Sequence, residues 1–148
     1  MTTAVSPNPK VRGPFECSVP RVIKAKAERL FKAWTDAEKA RPWLTNGGEI
    51  VLQPHVGGLF FLNMVYNDHT YPHYGRYLQV KQDRLLEFTW MSQGTKGKES
   101  IVRVAFEPQG ESTKLTITHS GLPDEKEREG HKDGWTQILD WLEERAAA

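Results

Sequence analysis

From Glu49 onward, strand-forming segments follow one another across turns too short for any crossover, and one long amphipathic segment closes the chain. The segments are Glu49 to Gln53, Leu59 to Tyr66, Tyr71 to Val80, Leu85 to Met91, Ser100 to Phe106, and a last one bearing Leu115, Ile117 and His119. Between them stand Gly57-Gly58, Asn67-Asp68-His69, Gln82-Asp83-Arg84, the polar loop Gln93 to Gly97, and Gln109-Gly110-Glu111. Parallel neighbours need a connection of about a dozen residues or more, so successive strands here are antiparallel. Val102, Val104 and Phe106 share one face of their strand, as do Leu115, Ile117 and His119. By the same alternation Glu87 falls on the outer face, where it is expected to be solvated.

Upstream, Phe15, Cys17 and Val19 alternate as a strand, bent at Pro20 and resumed through Val22 and Ile23. Ala27, Leu30, Phe31 and Trp34 then recur at i, i+3, i+4, i+7, the stripe of an amphipathic helix. Thr35 with Glu38 has the form of a capping box for a second short helix. Pro42 is expected to end it, leaving Trp43-Leu44 tucked onto the core. At the other end Pro123 suits a first turn, and Asp124, Glu125 and Glu127 suit the positive end of a helix dipole. Trp135, Ile138, Leu139 and Leu142 form its buried stripe, while Glu143, Glu144 and Arg145 face water. Gly130 and Gly134 weaken that helix; Gly134, beside Trp135, is expected to let its backbone approach the sheet. The fold class is α+β, as one domain over 15–148 after a flexible tail over 1–14 rich in proline.

The chain has 148 residues, enough to bury a core without staples or metal. Twenty Lys plus Arg balance 19 Asp plus Glu, so no field attracts nucleic acid or an anionic membrane. No apolar run reaches signal-peptide or membrane-spanning length. The single cysteine, Cys17, forms no internal disulfide, and a cytoplasmic protein is expected. Among apolar neighbours on a strand, its thiol acts as a small hydrophobe.

This ordered set of residues resembles the helix-grip superfamily of START domains, polyketide cyclases and the birch-pollen allergen. Within it the chain is similar to the branch named after the activator of the heat-shock-protein-90 ATPase. The resemblance is carried by Ala25 to Asp36 (AKAERLFKAWTD), Pro42-Trp43-Leu44, Val56-Gly57-Gly58-Leu59-Phe60 and Gly75-Arg76-Tyr77-Leu78. It continues through Arg84 to Trp90, Thr116 to Gly121 and Gly134-Trp135, and so spans Phe15 to Leu142. Lys26 stands where the branch commonly has proline. The resemblance implies a curved antiparallel sheet of six to seven strands wrapped around the C-terminal helix, with two short helices after the first strand. It also implies a cavity between sheet and helix; no cofactor is expected.

Residues expected to line that cavity are Phe60, Leu62 and Met64, then Tyr77, then Phe88 and Trp90, with Trp34 and Trp43 from the short helices and Trp135 from the long one. The cavity suits a hydrophobic or aromatic small molecule; the plainer reading is that these side chains meet and fill the core. His119, in phase with Leu115 and Ile117, points inward. It either anchors a ligand or moves a proton, or is a core histidine satisfied by Tyr77 or a backbone carbonyl. His73 carries the same two readings. A metal site is not expected: His69 and His73 lie about a turn with only Asp68 close. Nor is there a Gly-x-Ser-x-Gly nucleophile motif or a glycine-rich phosphate loop. Three functions follow in order of preference. The first is a small-molecule binding module. The second is a cyclase or hydratase using His119 and His73 with Arg76 or Tyr77. The third is a stress-related module contacting a chaperone, ranked last because no separate N-terminal domain of the eukaryotic activators precedes it. Homodimerisation through an edge strand is compatible with all three.

Overall fold

The computed structural model describes residues 15–146; the tail expected over 1–14 lies outside them. The chain runs β1 (Phe15–Ile23), α1 (Ala27–Thr35), α2 (Ala37–Leu44), β2 (Ile50–Leu52), β3 (Leu59–Tyr66), β4 (His69–Lys81), β5 (Leu85–Trp90), β6 (Ser100–Gln109), β7 (Ser112–Leu122) and α3 (Glu125–Arg145). All strands join one antiparallel sheet in the order β1-β7-β6-β5-β4-β3-β2. This is the α+β helix-grip arrangement that the family resemblance implied.

Local chemistry sets most boundaries. Asn67 and Asp68 both adopt left-handed backbone (φ 51° and 64°), the geometry of a tight hairpin turn whose twist matches its strands. Gly75 sits against β5 with no room for a side chain, because a Cβ there would run into the Thr89 carbonyl oxygen. The cap of α2 is Asp36 rather than Thr35: its carboxylate accepts from the backbone N–H of Glu38 and Lys39, while Thr35 bonds back to the Phe31 carbonyl. Pro42 does not end α2 but sits inside it. The helix is so short that the missing N–H removes only one bond near its end. Pro20 does not break β1 either; the register shift falls between Phe15 and Cys17. As the sheet's edge, β1 can leave a proline facing outward.

The core gathers on the concave face. Leu86, Phe88 and Trp90 of β5 meet Val102 and Val104 of β6 and Leu115 and Ile117 of β7, all buried. Leu30, Phe31 and Trp34 of α1 press in from one end, with Phe31 edge-on to Phe106 at 5.5 Å. Glu87 corrects the expectation of a solvated outer face. It is 1 % exposed, accepting from Gln79 Nε2 at 3.1 Å, with Arg103 Nη1 at 3.5 Å. Long side chains from both flanking strands close over this central position.

Helix α3 is anchored unevenly. Its buried residues, Trp135, Ile138, Leu139, Trp141 and Leu142, all lie in the C-terminal part. There Arg21 Nη1 of β1 reaches both Asp140 (2.7 Å) and Glu143 (2.8 Å), and Arg145 Nη1 donates to the Pro42 carbonyl and Asn46 Oδ1. Between Glu125 and Gly134 no residue is buried. Asp124 caps the start, accepting from the Glu127 N–H at 2.8 Å, and pairs with Lys96.

Candidate functional site

The deep core is filled. Phe60 stacks on Phe88 at 4.0 Å between centroids, Tyr77 stands edge-on to Phe60 at 5.7 Å, and Trp34 meets Trp43 at 4.8 Å. With Leu62 these side chains are at most 1 % exposed. Six of the nine side chains expected to line a cavity thus pack against one another instead. Their convergence was readable from alternation; how tightly the rings interlock was not.

An opening does exist, displaced toward the N-terminal half of α3. It is a cleft of about 540 Å³ between that half-helix and the β3–β4 hairpin. Met64, Trp90 and Trp135 line it, three of the expected residues, together with His73. The sheet side adds Tyr66 and Tyr71, and the helix side adds Ile138 and Trp141. A second hollow of about 530 Å³ shares Met64, Tyr71, His73 and His131 and continues past the hairpin toward Ser92.

The cleft owes its existence to a second stripe on α3. Glu127, Gly130, His131, Gly134, Ile138 and Trp141 recur at spacings of three and four, and all line it. Two of these positions have no side chain, and a Cβ built on Gly130 or Gly134 meets nothing within 4 Å. The expectation that Gly134 brings helix and sheet together is therefore corrected. The glycines leave the space open. Trp141, Tyr66, Tyr71 and this stripe were missed by sequence reasoning, although the spacing that joins Gly130 and Gly134 to Ile138 and Trp141 was there to be read.

His119 is fully buried and does not line the cleft. The Trp135 indole N–H donates to its Nδ1 at 3.0 Å, and an indole nitrogen is a donor only. In the neutral ring Nε2 therefore carries the hydrogen and donates to Ser100 Oγ at 2.7 Å, whose hydroxyl donates to the Trp90 carbonyl at 2.7 Å. The chain of bonds is complete, so His119 is a satisfied core histidine, partnered by Ser100 and Trp135 rather than by Tyr77. Burial holds its pKa well below the ordinary histidine value, with His131 and His73 adding to the shift. Tyr77 keeps its hydroxyl buried without a partner, and burial pushes its phenol up.

His73 shares the inward face with Leu62, its cross-strand partner, and its ring lies 4.6 Å from that of Trp90. Burial lowers it to about 4, so it is neutral near pH 7. Its Nδ1 and the Trp90 Nε1 have no hydrogen-bond partner. His131 Nδ1 donates to the Glu127 carbonyl at 2.7 Å. Burial also raises the Cys17 thiol, opposite to what a reactive thiolate needs. Among the described residues no cluster of His, Cys, Asp or Glu is arranged to hold a metal ion, and no helix is long and apolar enough to cross a membrane.

A family model described as Activator of Hsp90 ATPase homolog 1-like protein matches residues 24–147. The chain belongs to that family. The activator-like match begins after β1 and takes in all of α3. Several solved structures share the fold. A Mesorhizobium loti protein is 25% identical over 87% of this chain and 94% of its own, with TM-score 0.75. A Chromobacterium violaceum protein is 22% identical over 91% and 99%, with TM-score 0.80. An HSP90 activator from Plasmodium falciparum is 23% identical over 87% and 94%, with TM-score 0.73. A comparison with curated protein sequences finds no match. At these identities the activator-like likeness is one of fold, and function must be argued from the cleft.

Proposed function

We propose that the domain holds a small apolar or aromatic molecule in the cleft beneath the N-terminal half of α3, without covalent chemistry. The observation that carries this reading is a gap of about 540 Å³ walled by Trp90, Trp135, Trp141, Met64 and Ile138. It falls within the size range of small-molecule sites and is mostly apolar, as they are. Two polar groups without partners, Trp90 Nε1 and His73 Nδ1, belong to side chains on its wall and would orient a bound group. A cytoplasmic location is part of the proposal, and the buried single thiol of Cys17 suits it.

The five tryptophans supply the test. Indole N–H resonances are followed by NMR while a neutral aromatic probe, N-phenyl-1-naphthylamine, is titrated in. Trp90, Trp135 and Trp141 are expected to shift in a saturable way, and Trp34 and Trp43 far less. Equal shifts at Trp34 and Trp43 would move the site into the deep core, and no shift at any indole would end the proposal.

A chaperone-contacting role is the second reading. It is favoured by an exposed apolar strip, Val51, Leu59 and Tyr74, on the outer side of β2 to β4. Family membership and the HSP90-activator neighbour give that strip a reason to be tested. Stimulation of the ATPase of an Hsp90-type chaperone, lost on replacing Tyr74 with Glu, would support it. A domain that neither binds nor stimulates the chaperone would remove it. The homodimer expected through an edge strand would have to use β1, which carries Pro20, or β2, which is three residues long. Neither kind of edge accepts a further strand readily.

A further inference from the structure

Resting on the cleft as the binding site, we infer that its ligand is an organic cation: an ammonium group joined to an apolar or aromatic body. The lining contains Glu127 and Asp133 and neither lysine nor arginine, although the whole chain is nearly neutral. Against these two carboxylates stand five aromatic side chains, Tyr66, Tyr71, Trp90, Trp135 and Trp141. The faces of such rings attract ammonium groups, most strongly where water is excluded, and indole is the best of them. The Trp141 ring already takes a cation of the protein's own, the Arg145 guanidinium at 4.8 Å, although Arg145 itself does not line the cleft.

The opposing charges are accounted for. The positive end of α3 would favour an anion, but its dipole acts mainly on the first turn. There Asp124 takes the Glu127 N–H, and Glu125 and Glu127 add negative charge. Lys96 is paired with Asp124. Arg128 turns away to Glu125, Glu129 and the Phe15 ring. His73, neutral near pH 7, repels nothing. His131 keeps its Nδ1 on the Glu127 carbonyl at 2.7 Å, with the Glu127 carboxylate 3.7 Å away. An anion entering here would meet two carboxylates and no lining Lys or Arg to offset them, whereas an ammonium group meets aromatic faces and acidic side chains. The apolar body of the ligand has Met64 and Ile138 to rest on.

Three probes with one aromatic body carry the test: 1-naphthylmethylammonium, 1-naphthylmethanol and 1-naphthoate, titrated near neutral pH and low salt with the same indole readout. The cation is expected to bind roughly tenfold tighter than the alcohol, about 1.4 kcal/mol, and the carboxylate most weakly. In the Glu127→Gln/Asp133→Asn variant the cation's advantage over the alcohol should shrink by roughly threefold, the aromatic faces supplying the remainder. Asp133→Asn alone, at an exposed position, carries the comparison if the double variant loses stability. An alcohol that binds as well as the ammonium, or a preference unchanged in these variants, overturns the charge inference and leaves the cleft standing. If none of the three probes shifts the cleft indoles, the cleft reading falls with it.

Discussion

Replacing Gly134 with leucine should stabilise the domain and close its cleft, two effects that rarely coincide. A Cβ at Gly134 has nothing within 4 Å, so the new side chain enters open space rather than a packed wall. Relieving the helix of a glycine is worth about 0.8 kcal/mol, because leucine is nearly as good a helix former as alanine. For a chain of this size that raises Tm by about 2 °C, and by at most about 4 °C. Gly134 lines the cleft beside Trp135 and Ile138, so a leucine there takes up space the proposed ligand would use, and probe affinity should drop at least about tenfold. Thermal unfolding followed by far-UV circular dichroism measures the first effect and the indole titration the second. Gly134→Ala is the control, stabilising by a similar amount while narrowing the cleft less. A lowered Tm would mean that α3 does lie backbone-to-sheet at this point. Unchanged probe binding in a stabilised variant would mean that the cleft is not the site.

Three further outcomes are expected. Ser100→Ala leaves the buried Nε2–H of His119 and the Trp90 carbonyl without their shared hydroxyl, and should cost about 1–3 kcal/mol in urea unfolding; a neutral result would break the assigned chain of bonds. His73 and His119 titrate near 6.5 when unfolded but lower when folded, His73 at about 4. Unfolding then takes up protons as pH falls below about 6.5. Stability should therefore decrease toward acid, by up to about 2.7 kcal/mol per pH unit while both groups contribute; a flat urea midpoint between about pH 7.5 and 5 would refute it. Gly75→Ala forces a Cβ against the Thr89 carbonyl and should cost about 3 kcal/mol or more, read as a lowered urea midpoint.

How much of this was legible follows from which interactions act locally. Alternation and turn residues are local, so β3 falls on Leu59–Tyr66 as read, and Leu115, Ile117 and His119 share the buried face. The boundary errors at Thr35, Pro20 and Pro42 come from choices between near-equal local options that neighbours decide. The cap passed to Asp36, and an edge strand and a two-turn helix could each keep a proline. Glu87 misled because burial on an outer face depends on side chains from β4 and β6, which periodicity along β5 cannot report. The site followed the same division. Met64, Trp90 and Trp135 were placed on the inward face correctly, but whether rings meet or leave a gap is a matter of volumes across the whole interior. Leu62, Phe60, Phe88, Tyr77, Trp34 and Trp43 met. The gap arose where two glycines removed side chains from a helix stripe, a subtraction that hydrophobic periodicity is built to overlook.

The lopsided fastening of α3 makes it behave like a plank bolted at one end. Arg21 and Arg145 hold the C-terminal turns, where the tryptophan and leucine side chains are also sunk. The turns from Glu125 to Gly134 bury no side chain and cross the cleft on two glycines. Their amides should exchange with solvent sooner than those from Ile138 onward. A guest would then enter by local loosening of these turns, held at their start by the Asp124–Lys96 pair, with the interior rings left undisturbed.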